Sequence, residues 1–335
     1  MGTLGLKEAL YWEPAGDGRV RCLLCPHGCL VAEGHQGRCR VRENRGGVLR
    51  SLSYSRVSSA NLDPIEKKPL FHFHPGSLIL SLGTVGCNLS CAFCQNWAIS
   101  QQLAGTRRMA PEEALAAARS APGNLGIAYT YNEPFIWYEF VLETAQLVRE
   151  AGLKNVLVTN GYVNEAPLRQ LLPYVDAMNV DIKAMGEAFY RELCGARPEP
   201  PRHTVEIAKE AGCLVEVTNL VIPNWNDSEA ALRALVDWAA GVDPEMPVHF
   251  SRYHPDYKLA EPPTPPETLF RARDLAREKL RYVYLGNLWG GEGEDTVCPG
   301  CGKVVVAREG FRVRRVSVKA ERCEFCGTRV PVRGT

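Results

Sequence analysis

Cys87, Cys91 and Cys94 stand in the spacing Cys-x3-Cys-x2-Cys, within Leu78–Trp97, where they follow an apolar run and a glycine turn. Three thiolates this close can wrap one face of a cubane iron–sulfur cluster. A closed [4Fe-4S] site takes four cysteines, so three leave one iron open to bind something else. That open position is the first pointer to chemistry rather than to structural metal binding.

The other cysteines group differently. Of 13 in the chain, eight more fall in two sets, Cys22/Cys25/Cys29/Cys39 and Cys298/Cys301/Cys323/Cys326, while Cys194 and Cys213 stand apart. Clustered Cys-x2-Cys pairs in a chain of this length point to metal rather than to a disulfide scaffold. In the C-terminal set each Cys-x2-Cys pair is followed by glycine, the layout of a zinc ribbon, with zinc favoured over a rubredoxin-type iron. In the N-terminal set, Cys22-x2-Cys25-x3-Cys29 and Cys39 lie among glycines 28, 34 and 37, and His27 and His35 are further available ligands. A metal knuckle is expected there over reduced surface cysteines. Spacing alone does not separate zinc from an iron–sulfur cluster at that site.

These groups need a frame. At 335 residues with 45% hydrophobic content, the chain has the length of an α/β barrel with appendages. A net charge of +1 argues against strong global attraction to nucleic acid or membrane. The start lacks the charged-then-apolar layout of a signal peptide, and no apolar run nears the roughly 20 residues that span a bilayer. A soluble, cytoplasmic protein is expected.

Between residues 78 and 288, apolar runs alternate with helix-like stretches, which predicts βα units and a parallel sheet. The strands are expected over 78–85, 125–130, 154–159, 175–182, 213–221, 246–251 and 281–286. About six repeats make an incomplete (β/α)6 TIM-type barrel. The competing arrangement is an open doubly wound sheet, but no G-x-G-x-x-G follows a strand. The whole chain then divides into a cysteine-rich metal module (1–50), a strand or hairpin lead-in (51–77), the partial barrel (78–288) and a ribbon module (289–335).

In either architecture, ligands sit at the carboxyl ends of the strands. Polar sets fall there repeatedly: Thr130-Tyr131-Asn132-Glu133, Thr159-Asn160-Gly161, Asp181-Ile182-Lys183, Ile222-Pro223-Asn224 and Ser251-Arg252-Tyr253-His254. Each has an ordinary structural explanation singly. Their recurrence at five successive strand ends argues for one shared site. His72 and His74, alternating with Phe71 and Phe73, are expected to be structural rather than ligands. Cys194 is expected to be a buried inert thiol rather than a cavity-facing radical relay. The basic stretch between the ribbon knuckles reads equally as a solvated cap or as a docking face for a partner or RNA.

The cysteine triad after a first strand, followed by the βα series, closely resembles the radical S-adenosylmethionine (SAM) superfamily over about residues 78–288. The resemblance implies a [4Fe-4S] cluster on Cys87, Cys91 and Cys94, with SAM chelated to the open iron. Reductive cleavage of SAM then yields methionine and a 5′-deoxyadenosyl radical that abstracts hydrogen from a substrate, which is a glycyl-radical protein, a peptide or RNA, or a small molecule. Within the superfamily the chain is most similar to the pyruvate formate-lyase-activating enzyme group. On that resemblance Phe93 lies near adenine, and Tyr131, Asn132 and Glu133 stand where that group has Gly-Gly-Glu, with both glycines replaced, at the SAM amino group. Thr159 and Asn160 match its Thr-Asn-Gly turn, Asp181 and Lys183 its Asp-Leu-Lys at the SAM carboxylate, and His254 its Tyr-His near the ribose. The order of segments, with Cys-x-x-Cys-Pro-His-x-Cys at the start, resembles the AmmeMemoRadiSam system radical SAM family. That resemblance implies Memo-like and AMMECR-like partner proteins, and a flavodoxin- or ferredoxin-type electron donor. The contrasting reading is a non-catalytic multi-zinc scaffold with a degenerate core; three cysteines with an open position and the polar strand ends weigh against it.

Overall fold

The computed structural model describes residues 6–335 except 103, 289 and 291. Its centre is an eight-stranded sheet. One antiparallel edge strand, β1 (Ser59–Pro64), pairs with β2 (Leu78–Gly83), and β3 (Asn124–Tyr129), β4 (Lys154–Thr159), β5 (Ala177–Asp181), β6 (Leu214–Val221), β7 (Val248–Arg252) and β8 (Val283–Gly286) follow. From β2 to β8 every pair is parallel and neighbours follow chain order. A doubly wound sheet would reverse that order partway, so the sequential order makes this a partial barrel. Strands β1 and β8 are not paired, which leaves it open on one side.

Parallel neighbours need a long crossover. Six helices supply them: α1 (Pro111–Ser120), α2 (Tyr138–Glu150), α3 (Glu165–Leu171), α4 (Glu199–Glu210), α5 (Glu229–Val242) and α6 (Pro266–Arg277). Local chemistry marks their starts. Pro111 and Pro266 open α1 and α6, where a missing N–H costs nothing, and the Ser228 hydroxyl accepts from Ala231 N at the head of α5. Strands β2 to β8 are buried along most of their length, as sheets covered by helices require, while the edge strand β1 is largely uncovered.

Residues 6–51 form two small antiparallel three-stranded sheets. Their cysteines and aliphatics merge with the barrel core, since Val20, Cys22, Leu24, Val31, Cys39 and Val41 share one buried cluster with Leu82 and Ile136. The C-terminal segment adds a three-stranded sheet (Thr296–Val297, Val304–Glu309, Arg312–Val316) and a short hairpin.

This C-terminal sheet closes the floor of the barrel, at the amino ends of the strands. Tyr282, Tyr284 and Phe71 pack with Val305, Val306, Val330 and Val332. The His72 ring bonds Tyr284 Oη (2.6 Å) and Pro331 O (3.0 Å), and Glu216 pairs with His249 at 2.6 Å. The two histidines therefore part ways: His72 is a fully enclosed floor residue, whereas His74 sits half-buried outside any strand. Arg308, one of the ribbon's basic residues, is also buried, donating to Phe71 O at 2.7 Å with its guanidinium 4.2 Å above the Phe71 ring. Arg312, Arg314 and Arg315 stay exposed. Among the described residues, no helix is long and apolar enough to cross a membrane.

Candidate active site

The loop carrying Cys87, Cys91 and Cys94 leaves the carboxyl end of β2 and is held from several directions. Asn132, at the end of β3, is its clamp: the side-chain oxygen accepts from Thr84 N (3.2 Å) and the amide donates to Gly86 O (2.7 Å). Gly86 is required by its φ of +88° and by space, because a Cβ there would sit 2.5 Å from Cys39 O. Asn160 donates both to Asn88 Oδ1 (2.9 Å) and to the Cys87 sulfur (3.6 Å), while its own oxygen accepts from Tyr162 N. Side chains from the ends of β3 and β4 thus grip the cysteine loop directly.

Glu133 is 1% exposed. Its carboxylate accepts from Phe135 N (3.0 Å), the Thr159 hydroxyl (2.7 Å) and Asn160 N (2.8 Å). Burial pushes its carboxyl up to about 7, against the lowering effect of those donors, and Asp181 adds to the rise. No lysine or arginine pairs with it among the described residues, so a buried carboxylate is held beside the cysteines without a cation. Such a group favours a ligand that brings a donor amine.

Lys183 stands two residues past Asp181, just beyond the end of β5. Its ammonium is 2.8 Å from Asp181 and 5.9 Å from the centre of the Phe93 ring. Burial alone would push that ammonium down, but the Asp181 carboxylate, together with negative charge on the Cys91 sulfur, holds it well above its usual range. Asn219 donates to the carbonyls of Ile182 and Lys183, and Asn226 to that of Lys183, which pins the backbone that carries the lysine. Phe93 is buried against Phe189, ring centres 5.7 Å apart. At the rim, exposed His254 meets Gln95, one residue past Cys94, at 3.3 Å, and Trp97 stacks on Tyr257.

Tyr131 turns away from this group. Its hydroxyl bonds Asp63 (2.5 Å) and Asn61 (3.1 Å) on β1, and the Lys68 ammonium sits 4.7 Å from its ring centre. Its φ is +71°, a conformation that glycine adopts without cost. The tyrosine keeps a glycine-like backbone where the resemblance has glycine, and the contacts to β1 offset the strain.

Cys194, expected to be a buried thiol, is buried, and sequence reasoning passed over three asparagines. The Cys194 thiol, buried in the turn after β5, packs in one apolar cluster with Cys91; burial raises it well above the usual thiol range, and its proximity draws Cys91 down. Asn88, Asn219 and Asn226 are the unforeseen members. Asn219 shares its strand with the polar Glu216 and Thr218, so polarity within an apolar run did not single it out.

The cysteine sets differ in spread. The sulfurs of Cys298, Cys301, Cys323 and Cys326 all lie within 4.8 Å of one another, with Cys298–Cys326 at 3.6 Å and Cys301–Cys323 at 3.8 Å. Thiolates about 2.3 Å from one tetrahedral ion stand about 3.8 Å apart, so this set fits a single ion. Among the described residues, no three of the other cysteines converge in that way. A wider triad suits a multi-iron cluster, whose irons stand between the thiolates.

A partial (β/α) barrel with a cysteine triad on its first βα loop and a polar ring at the following strand ends defines a class of enzyme that holds a cluster and a small cofactor together. The chain belongs to the radical SAM superfamily, whose model matches residues 81–236. It is 45% identical over 337 residues to an uncharacterized protein of Methanocaldococcus jannaschii, covering 98% of this chain and 99% of that one. It is 23% identical over 222 residues to the pyruvate formate-lyase-activating enzyme of Clostridium pasteurianum (61% of this chain, 88% of the relative). Among solved structures, SuiB of Streptococcus suis bound to S-adenosylmethionine is similar in fold, with a TM-score of 0.52, 15% identity and coverage of 63% of this chain and 52% of that chain. Membership implies a [4Fe-4S] cluster and SAM. The spread triad, the cation-free Glu133 and the Lys183 ammonium fit those two groups.

Proposed function

We propose that this chain is a radical SAM activase-like enzyme that takes a hydrogen atom from a polypeptide partner. Cys87, Cys91 and Cys94 hold the cluster. When bound, the cluster and SAM supply one-electron cleavage of SAM to methionine and a 5′-deoxyadenosyl radical. The chain's own residues do the positioning. Glu133, backed by Thr159 and Asn160, accepts from the SAM amino group; Lys183, steadied by Asp181, meets its carboxylate; Phe93 lies by the adenine and His254 by the ribose at the rim. Asn132 acts through the loop it clamps, and Tyr131 through its backbone.

One observation carries the reading. Asn160 bonds the Cys87 sulfur with its side chain while its backbone N–H donates to Glu133. The cluster ligand and the amine-binding carboxylate are thereby fixed one residue apart, as chelation of SAM by the cluster requires. The polypeptide substrate is supported by the similarity to the pyruvate formate-lyase-activating enzyme, and Gln95, Asn96 and His254 stand exposed at the rim where a partner would approach. A flavodoxin- or ferredoxin-type protein serves as electron donor, and Memo-like and AMMECR-like proteins are the first partners to try. The C-terminal four-cysteine site holds zinc and stiffens the barrel floor.

The test is anaerobic. Reconstituted protein with dithionite and SAM should form 5′-deoxyadenosine, and Cys91→Ala should abolish both the product and the core cluster's absorbance while keeping ribbon zinc. Tight SAM binding with no 5′-deoxyadenosine after long incubation would overturn the enzyme reading. Deuterium passing into 5′-deoxyadenosine from a labelled partner identifies the substrate.

A further inference from the structure

The N-terminal cysteines are left over by the activity above, and the superfamily match begins well beyond them, at residue 81. They enclose something of their own. Cys22, Cys25, Cys29 and Cys39 line one small apolar-walled cavity together with Arg42, Asn88 and other residues of the barrel side. Unlike the ribbon set, no three of these sulfurs draw within 4.8 Å of one another, among the described residues. Four thiols around one cavity, too far apart to share one tetrahedral ion, have the arrangement of a cluster with its irons between them.

The cavity also carries positive charge without a full set of partners. Arg42 is 1% exposed and pairs with Glu139 and Leu10 O, yet its Nε is buried with no hydrogen-bond partner, and its Nη1 reaches the Cys22 sulfur at 4.0 Å. Arg38 N donates to the Cys29 sulfur at 3.5 Å. A four-thiolate cluster is anionic, and a buried guanidinium with an unused donor beside it is the complementary group.

The cavity shares a wall with the active site. Asn88 lines it, follows Cys87 in the chain, and accepts at its carbonyl from the His27 ring at 2.8 Å. Cys25 belongs to the same apolar cluster as Cys87, Cys91, Phe93 and Cys94. From Cys25 to Cys87 the path is the dipeptide to His27, one hydrogen bond, and one peptide unit. A zinc knuckle, which exchanges no electrons, would gain nothing from that connection.

We propose that Cys22, Cys25, Cys29 and Cys39 hold a second, fully ligated [4Fe-4S] cluster that relays electrons to the open one. The relay role rests on the radical SAM reading; the cluster itself does not. One electron enters the N-terminal cluster from a low-potential flavin or iron–sulfur donor protein and passes to the core cluster, which is reduced as the N-terminal cluster is reoxidised. No bond or proton changes hands in the transfer.

The experiment uses the full chain, reconstituted anaerobically with iron and sulfide, with iron and zinc counted per chain and low-temperature paramagnetic resonance after dithionite reduction. Cys29→Ala/Cys39→Ala should halve the iron, leave zinc unchanged and keep a signal that SAM perturbs. Cys91→Ala should also halve the iron and keep a signal indifferent to SAM, which tests the site even if the N-terminal variant fails to fold. With reduced flavodoxin as donor, the N-terminal variant should reduce its core cluster at least tenfold more slowly than wild type, while dithionite still reduces it. Loss of zinc instead of iron from the N-terminal variant, or loss of all iron from Cys91→Ala, overturns the second cluster. Equal rates with flavodoxin overturn the relay. If SAM perturbs neither signal while the iron still divides in two, the radical SAM reading fails and the second cluster stands.

Discussion

Replacing Glu133 by glutamine should change how SAM binding depends on pH. Burial lifts this carboxyl from an ordinary 4.5 to about 7, which corresponds to about 3 kcal/mol against the charged form. A donor amine in the site recovers part of that cost, so SAM should bind the ionised form. With a carboxyl titrating at about 7, the ionised fraction climbs about tenfold from pH 6 to pH 8. The SAM amine also sheds a proton on chelation, but that slope is common to wild type and variant. Wild-type affinity should therefore gain about tenfold more than that of Glu133→Gln across this window. At pH 8 the variant should bind about 10- to 150-fold more weakly, the value of one hydrogen bond to a charged group. The sign for stability runs the other way. The raised carboxyl costs the SAM-free fold stability as pH climbs from about 4.5 through 7, so SAM should raise the thermal midpoint more at pH 8 than at pH 6. Anaerobic calorimetric titration of cluster-loaded protein reads the affinities, with iron content and the melting curve as controls for the variant's fold. Parallel pH profiles in the two proteins, or equal affinities at pH 8, would refute the reasoning.

Three further outcomes follow from particular contacts. Asn132→Ala leaves Thr84 N–H and Gly86 C=O without their partner, a cost of about 1–3 kcal/mol for each buried group, and should lower both the thermal midpoint and iron retention; Asn132→Asp, which keeps only the acceptor, should fall between. Cys301→Ala opens the converged four-thiolate site and should release zinc and lower the melting temperature without changing core iron, as counted by elemental analysis. Burial pushes His72 from 6.5 down to about 4, so the unfolded chain takes up that proton first. Stability should drop by at most about 3 kcal/mol as pH falls from 6.5 to 4. Urea unfolding of His72→Gln over the same range should show a shallower dependence.

The barrel was largely legible because its signals are short-range. Apolar runs of five to eight residues, separated by helical stretches of which several begin at proline or an acidic residue, report βα units wherever they occur. Sequential strand order follows from the absence of a reversal signal. Boundaries shifted at the strand ends: the expected strand over 175–182 forms as Ala177–Asp181, since Val175 N still bonds Leu172 O in the turn from the preceding helix, while Asp176 already bonds Asn155 O and Leu214 N at the strand's start. His72 and His74 alternate with Phe71 and Phe73 as in a strand, but the segment makes only one bridge, Phe73 with Arg333, and bends under the barrel floor, where His72 meets Tyr284, 212 positions away.

Residue types and their spacing determined which side chains are able to do chemistry here: three thiols with one position open, four thiols on two glycine-flanked knuckles, and a carboxylate, an amide and a lysine at successive strand ends. Those features depend on near neighbours, so a linear reading reaches them. Tertiary structure alone decided what each group touches. It turned Asn132 toward the cysteine loop and Tyr131 toward β1, set Cys194 against Cys91, and buried Arg308 in the floor. It also brought the N-terminal cysteines to a wall shared with Asn88. The physical reason is that burial and hydrogen-bond satisfaction are settled between segments tens to hundreds of residues apart, and no local pattern specifies which of two adjacent polar side chains will find its partner.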